Sequence, residues 1–148
     1  MQSRVYLVSN SAGLPRLKFH RLPGLYIIAR LAPDAPVPGW AARGEFTSVT
    51  RTAEELSIVC AADNLPADIH CSHYWICLKL EGPFAFSETG ILLSFIEPLS
   101  RGAIPMFAIS TWDTDYLMIQ EEFAGIALDA LQRAGHELWR RGEPVKTT

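Results

Sequence analysis

Hydrophobic and polar positions alternate with the period of strands in both halves of the chain, and the helical period joins it only in the second. The run LYIIARLA (25–32) follows the turn pair Pro23-Gly24 and is compact, apolar and rich in aromatic and β-branched residues, which predicts a strand. FTSVTRT (46–52) sets Phe46, Ser48 and Thr50 against Thr47, Val49 and Arg51, and ELSIVCA (55–61) reads as a third strand. Pro15, Pro23, Pro33, Pro36, Pro38 and Pro66 forbid a long helix in this half. Between the first two strands, APDAPVPGWAARG leaves only Trp40, Ala41 and Ala42 for one helical turn.

The second half is more regular. YWICLKLE (74–81) alternates Trp75, Cys77 and Lys79 with Ile76, Leu78 and Leu80, and Gly82-Pro83 ends it. A helix follows, with Ser87 or Thr89 as its expected cap, Ile91, Phe95 and Leu99 at spacing four, and Gly102 as its stop. Pro98 is expected to kink this helix or begin its last turn. IPMFAIST (104–111) and YLMIQ (116–120) are strands joined by the polar turn WDTD. The last helix opens on Glu121-Glu122, where negative charge suits the positive end of the dipole, and stops before Gly135. Its stripe of Phe123, Ile126, Ala127, Ala130, Leu131 and Ala134 predicts one face laid on a sheet.

The second half therefore reads β-α-β-β-α, the order of a ferredoxin-like unit in which helices cover one face of an antiparallel sheet. The first half repeats that order in worn form. At an offset of sixty, FTSVTRTAEELSIV (46–59) lies over MFAISTWDTDYLMI (106–119), each a strand, a polar hairpin with an acid near its end, and a strand. At an offset of fifty, LYIIARLA lies over WICLKLEG. The difference falls where the first half has a proline-rich turn in place of a full helix.

Composition narrows the function classes. With 148 residues, 49% hydrophobic and 20% charged, the chain suits one domain or two closely packed halves with a real core. Thirteen Lys and Arg against sixteen Asp and Glu give a net charge of -3, which offers nucleic acid no electrostatic footprint. The longest stretches without a charged residue, Val5–Pro15 and Gly102–Trp112, fall short of the roughly 20 residues needed to span a bilayer, so no membrane helix is expected. The start MQSRVYLVSNSAG carries a four-residue apolar run, too short for a secretory core, and reads as a first strand. Three cysteines, Cys60, Cys71 and Cys77, are too few and odd in number for a disulfide framework, which fits a reducing cytoplasm.

Three segments carry candidate chemistry. IHCSHYWIC gathers His70, Cys71, His73 and Cys77, yet lacks the paired spacing of zinc ligands, so it is expected to hold no metal. Nucleophilic catalysis needs a nucleophile, a base and an orienter; no G-x-S-x-G elbow is present, and His20 and His136 lie outside the expected strands. Asp113 and Asp115 could serve as a general acid and base, but alternating acids on an exposed turn are more often solvated turn-formers or contacts for a ligand. EGPFAFSETG opens a helix whose first N–H groups are open to a carboxylate, and neither phosphate-loop pattern occurs in it.

Taken together, IARLAPDAPVPGW, GEFTSVTRTAEELSIVC, KLEGPFAFSETGILLSFIEPLSRGAIPMFAISTWDTDYLMI and ALDALQRAGH resemble the tandem ACT-domain proteins. These are related to the regulatory part of aspartokinase, and the group includes the CASTOR arginine sensors. The resemblance runs from about Tyr26 to His136. It implies an α+β fold of two βαββαβ units, 1–70 and 71–148, the first with a truncated first helix. It also implies a small ligand, usually an amino acid, held between ACT units. Carried over by position, the loop would contribute Phe86, Ser87, Thr89, Gly90 and Ile91, and the hairpin Ile109, Ser110, Thr111, Asp113 and Asp115. The expectation is a cytoplasmic, non-enzymatic regulator without cofactor, forming a homodimer and signalling to a separate protein effector. A structural dimerisation module without ligand and a small enzyme acting on an amino acid are the alternatives.

Overall fold

The computed structural model describes residues 14–85 and 87–140. The first strand expected near Val5 lies outside these residues, as does Phe86. Eight strands and two helices follow in the order β1 (Lys18–Arg21), β2 (Tyr26–Leu31), β3 (Ser48–Arg51), β4 (Leu56–Ala61), β5 (Trp75–Leu80), α1 (Ile91–Arg101), β6 (Met106–Ser110), β7 (Asp115–Gln120), α2 (Ala124–Arg133) and β8 (Glu137–Trp139). The fold is α+β with one branched sheet, antiparallel in every pairing except that of β1 with β8.

β5 is the centre of that sheet. Its flank toward β7 is paired along most of its length, from Trp75–Gln120 to Lys79–Tyr116. Its other flank is shared, because β1 pairs at Leu78–Leu80 and β2 touches only through Tyr26–Trp75. β1 thus precedes residue 70 in sequence and hydrogen-bonds among the strands of the second half. His20, expected outside the strands, is part of β1 and pairs with Lys79 across the ladder.

The two hairpins superpose at an offset of fifty-nine, because Arg51 faces Leu56 as Ser110 faces Asp115. The offset of sixty read from the sequence is one residue out. A one-residue slip moves every side chain to the other face of a strand. At the observed offset, buried Ile58, Val59 and Cys60 correspond to buried Leu117, Met118 and Ile119.

The sheet has a core on each face. On the helix side, Ile76, Leu78, Leu80, Leu117 and Ile119 meet Phe95 and Leu99 of α1 and Ala127 and Leu131 of α2. Beneath the first half, a 3₁₀ turn at Gly39–Ala42 replaces a helix, and Ala41 and Trp40 cover Ile27, Leu56, Ile58 and Cys60. The second helix of that half is also reduced, to a 3₁₀ turn at Ala62–Asn64, because Pro66 holds Leu65 extended. The opposite face joins the halves: Tyr26, Phe46 and Val59 pack with Cys77 and Met118, and the Phe46 ring lies 4.4 Å from that of Tyr116.

In α2 the stripe is rotated from the expected one. Ala127 and Leu131 are buried, but Ile126 is 56% exposed. A 3₁₀ turn at Glu121–Phe123 precedes the helix, and its tighter winding changes the phase at which the face begins.

Pro98 sits inside α1 with no N–H to give to the Ser94 carbonyl. His136, buried in the turn after α2, replaces it: Nε2 lies 2.8 Å from Ser94 O, and Nδ1 accepts the Leu17 N–H at 3.0 Å. Since Leu17 N–H can only donate, Nδ1 is the unprotonated nitrogen and Nε2 carries the hydrogen. Burial holds this imidazole below its ordinary value, with Arg16 adding to the effect and the Ser94 carbonyl opposing it. One neutral side chain thus ties the start of β1, the middle of α1 and the approach to β8.

Candidate functional site

The cleft that gathers most of the candidate residues is built at the start of α1. Gly90 occupies the cap position with φ of 75°, a left-handed conformation that favours glycine, and no side chain caps the helix. Neither Ser87 nor Thr89 therefore caps α1; both are exposed in the preceding loop. The first intrahelical bond runs from Ser94 N–H to Gly90 O at 3.0 Å, leaving the N–H groups of Ile91, Leu92 and Leu93 without helical acceptors.

The β6–β7 hairpin faces this helix start. Thr111 and Thr114 close it, with Thr111 N–H and Oγ1 both donating to Thr114 O at 2.9 Å. Thr114 Oγ1 reaches back to Leu80 O at 2.8 Å, and Asp113 O accepts the Phe84 N–H at 2.9 Å. The hairpin is therefore pinned to the loop that leaves β5. Gly82 lies at that contact: a Cβ there would stand 2.8 Å from Asp113 O.

Between helix start and hairpin lies a cleft of about 300 Å³. Of the sequence candidates, Gly90, Ile91, Ser110, Thr111, Asp113 and Asp115 line it. Ser87 and Thr89 do not. Ile109 belongs to the opposite face of the sheet, among Phe107, Met118 and Tyr116, since side chains alternate along β6. Phe84, Ala85, Glu88, Leu92, Leu93, Trp112 and Thr114, which are not among the sequence candidates, also line the cleft. Glu88 and Trp112 sit within the quoted loop and turn, so proximity alone was the available signal. Trp112 is 80% exposed at the hairpin tip.

Asp115 Oδ1 accepts Ser110 Oγ at 2.5 Å, which orients its carboxylate. Among the described residues, the ion pairs are His20–Glu81, Arg30–Glu55, Arg101–Glu97 and Arg133–Asp129, so neither Asp113 nor Asp115 is neutralised by a cation. The cleft thus has the open backbone N–H groups of α1 at one end, beside Glu88, whose carboxylate accepts the Ala85 N–H at 3.3 Å, and the carboxylates of Asp113 and Asp115 at the other. That arrangement suits a small molecule bearing both a carboxylate and an ammonium or guanidinium.

The residues of IHCSHYWIC do not converge in the same way. Cys77 is buried in the back-face core and burial, followed by Glu45, pushes its thiol up to about 12. His70 and His73 are exposed, and Cys71 is half-buried against the first-half core. Among the described residues no group of three or more His, Cys, Asp or Glu is placed to hold a metal ion. All three cysteines are unbridged, and burial also raises the Cys60 thiol, so Cys60 and Cys77 lack the thiolate character of a nucleophile.

Comparison with known proteins gives two adjoining family matches, an N-terminal domain profile over residues 24–68 and the ACT domain over residues 71–133. A solved protein from Agobacterium tumefaciens is 43% identical, with 90% of this chain and 99% of that one covered at a TM-score of 0.77. A Vibrio cholerae protein of unknown function, described as a possible transport protein, is 20% identical over 86% of this chain and 92% of its own, with a TM-score of 0.68. The allosteric aspartate kinase of Clostridium acetobutylicum shares the fold at 12% identity and a TM-score of 0.59, over 82% of this chain and 35% of the kinase. With these matches and the fold in agreement, the chain is an ACT-domain protein, with the ACT domain matched over residues 71–133, and it resembles the aspartokinase regulatory domains.

Proposed function

We propose that the protein is a non-enzymatic ACT-type regulator that binds a small amino acid in the cleft between the α1 start and the β6–β7 hairpin. The observation that carries this reading is the opposition of three open helical N–H groups to the Asp113 and Asp115 carboxylates, which no cation among the described residues neutralises. The α-carboxylate goes to the helix start, and the ammonium or a side-chain cation goes to Asp115 or Asp113. Ser110, Thr111 and Gly90 shape the space between them.

Two ACT-like units, 1–70 and 71–148, make up the chain in this reading, with β1 lent by the first to the sheet of the second. The protein acts as a homodimer. Leu93 is 53% exposed and lines the cleft, so a second copy placed over the helix layer covers apolar surface and closes the site together. Ligand then favours one arrangement of the units, and a separate protein reads it. The described residues hold no helix long and apolar enough to cross a membrane, and the unbridged cysteines suit the cytoplasm assigned here.

A thermal-shift screen of the twenty amino acids tests the reading, because a ligand at a hundred times its dissociation constant stabilises the folded state by about 2.7 kcal/mol. One amino acid, or a closely related set, should raise the midpoint. A flat screen favours a structural module, and chemical turnover of a hit, seen by mass spectrometry, favours an enzyme.

A further inference from the structure

The sheet has a gap on the far side of β2. In its ladder with β4, Leu25 O accepts the Ala62 N–H, so Leu25, Ile27, Ala29 and Leu31 direct their backbone groups toward β4. Tyr26, Ile28 and Arg30 direct theirs the other way. Tyr26 meets Trp75 there, and the β2–β5 ladder ends at that pair. Continuing the register would bring His73 opposite Ile28, but residues 69–73 swing away as a loop. The N–H and C=O groups of Ile28 and Arg30 are left without a strand partner among the described residues.

A cavity of about 440 Å³ lies along this edge. Its walls include Trp40, which packs on the helix-side core, and Trp75, which packs on the opposite core. Two indole rings therefore flank one strand edge from the two faces of the sheet. Arg30, His70 and His73 also line the cavity, and among the described residues no carboxylate side chain does. Arg30 is paired with Glu55 at 3.2 Å and donates to the Glu54 carbonyl at 3.1 Å, but both contacts are open to water, and an exposed pair of this kind is weak enough for another carboxylate to replace it.

We propose that this edge is a docking site for an extended acidic peptide segment of a partner protein. The segment adds to β2 as a strand, pairing with the backbone of Ile28 and Arg30. Its successive side chains alternate between the faces, so one apolar residue rests on Trp40 and the next on Trp75. An acidic residue nearby faces Arg30 and the two histidines.

The test selects twelve-residue peptides from a random display library on the full chain and measures the winners by fluorescence anisotropy. Selected peptides should carry adjacent apolar residues with an acid close by. Methylating their backbone nitrogens one at a time should weaken binding more than tenfold at alternate positions and little at those between. Ile28→Pro removes an N–H that the β4 ladder does not use and should weaken binding at least tenfold, whereas Ile28→Ala, which keeps the N–H, should weaken it much less. The methylation series decides the matter if Ile28→Pro fails to fold. Failure to select any peptide, loss on methylation without alternation, or equal binding by a folded Ile28→Pro protein would each overturn the proposal. So would sedimentation showing that Ile28→Pro separates two copies of the chain, since the edge would then belong to a self-interface.

Discussion

The two hairpins of this molecule share a backbone and differ in what their charges do. In the first, Thr52 closes the turn by accepting the N–H groups of Glu54 and Glu55 at 3.1 and 3.2 Å. Glu55 is paired with Arg30, and Arg51 donates to the carbonyls of Pro33 and Ala35, drawing the preceding loop onto the hairpin. In the second, position 51 is replaced by Ser110, which orients Asp115 instead of filling the space, and a helix start stands where the first half has a proline-rich loop. One hairpin has satisfied its own groups. The other holds Asp113 and Asp115 opposite open N–H groups, and no cation among the described residues pairs with either.

That contrast can be broken at several levels, the largest being the helix itself. Phe95 is fully buried with its ring edge-on to Phe19 at 5.0 Å, and Phe95→Ala should lower stability by about 3 to 5 kcal/mol in denaturant titration. The first half has no helical anchor of this kind, so its own strands should gain little protection from hydrogen exchange when α1 is intact. Next comes Gly82→Ala, whose methyl meets the Asp113 carbonyl. A loss of about 1 to 3 kcal/mol is expected, together with weaker ligand binding, because the hairpin must shift.

The His136 tie predicts a pH dependence. Its value is lowered in the folded state from the ordinary 6.5, so the unfolded chain binds the proton more readily. The stabilisation is complete above pH 6.5 and is lost as pH falls below it toward the folded value; thermal midpoints measured across that interval should fall with pH and flatten in His136→Gln. The smallest effect belongs to the satisfied hairpin. Glu55→Gln breaks an exposed pair with Arg30 and should change stability by only about 0.2 to 1 kcal/mol, an effect that salt should shrink.

Most of the ladder was legible because β2, β4, β5 and β7 bury long apolar runs, and Pro33, Pro36 and Pro38 announced the missing helix. β1 was not, since Lys18 and His20 flank its one buried ring, Phe19, and four residues carry too little pattern to register. β8 is shorter still, and its position depends on β1. The repeat offset slipped by one residue because short apolar strings match equally well in two registers, and only the hairpin hydrogen bonds separate them. At the site, the acids and the glycine were visible as residue types. The positive φ of Gly90 was not, so the capping hydroxyls were misassigned. Ile109 was drawn in from a strand whose facing cannot be known until its register is fixed.

Calorimetry of the amino acid that gives the largest thermal shift tests the central claim most directly, using the parent, Asp115→Asn and Glu55→Gln proteins side by side. Asp115→Asn keeps the shape and removes the charge, so affinity should fall by about 1.5 to 3 kcal/mol, more than tenfold, while Glu55→Gln binds as the parent does. Unchanged binding by Asp115→Asn together with a loss in Glu55→Gln would place the ligand at the first hairpin and contradict the account.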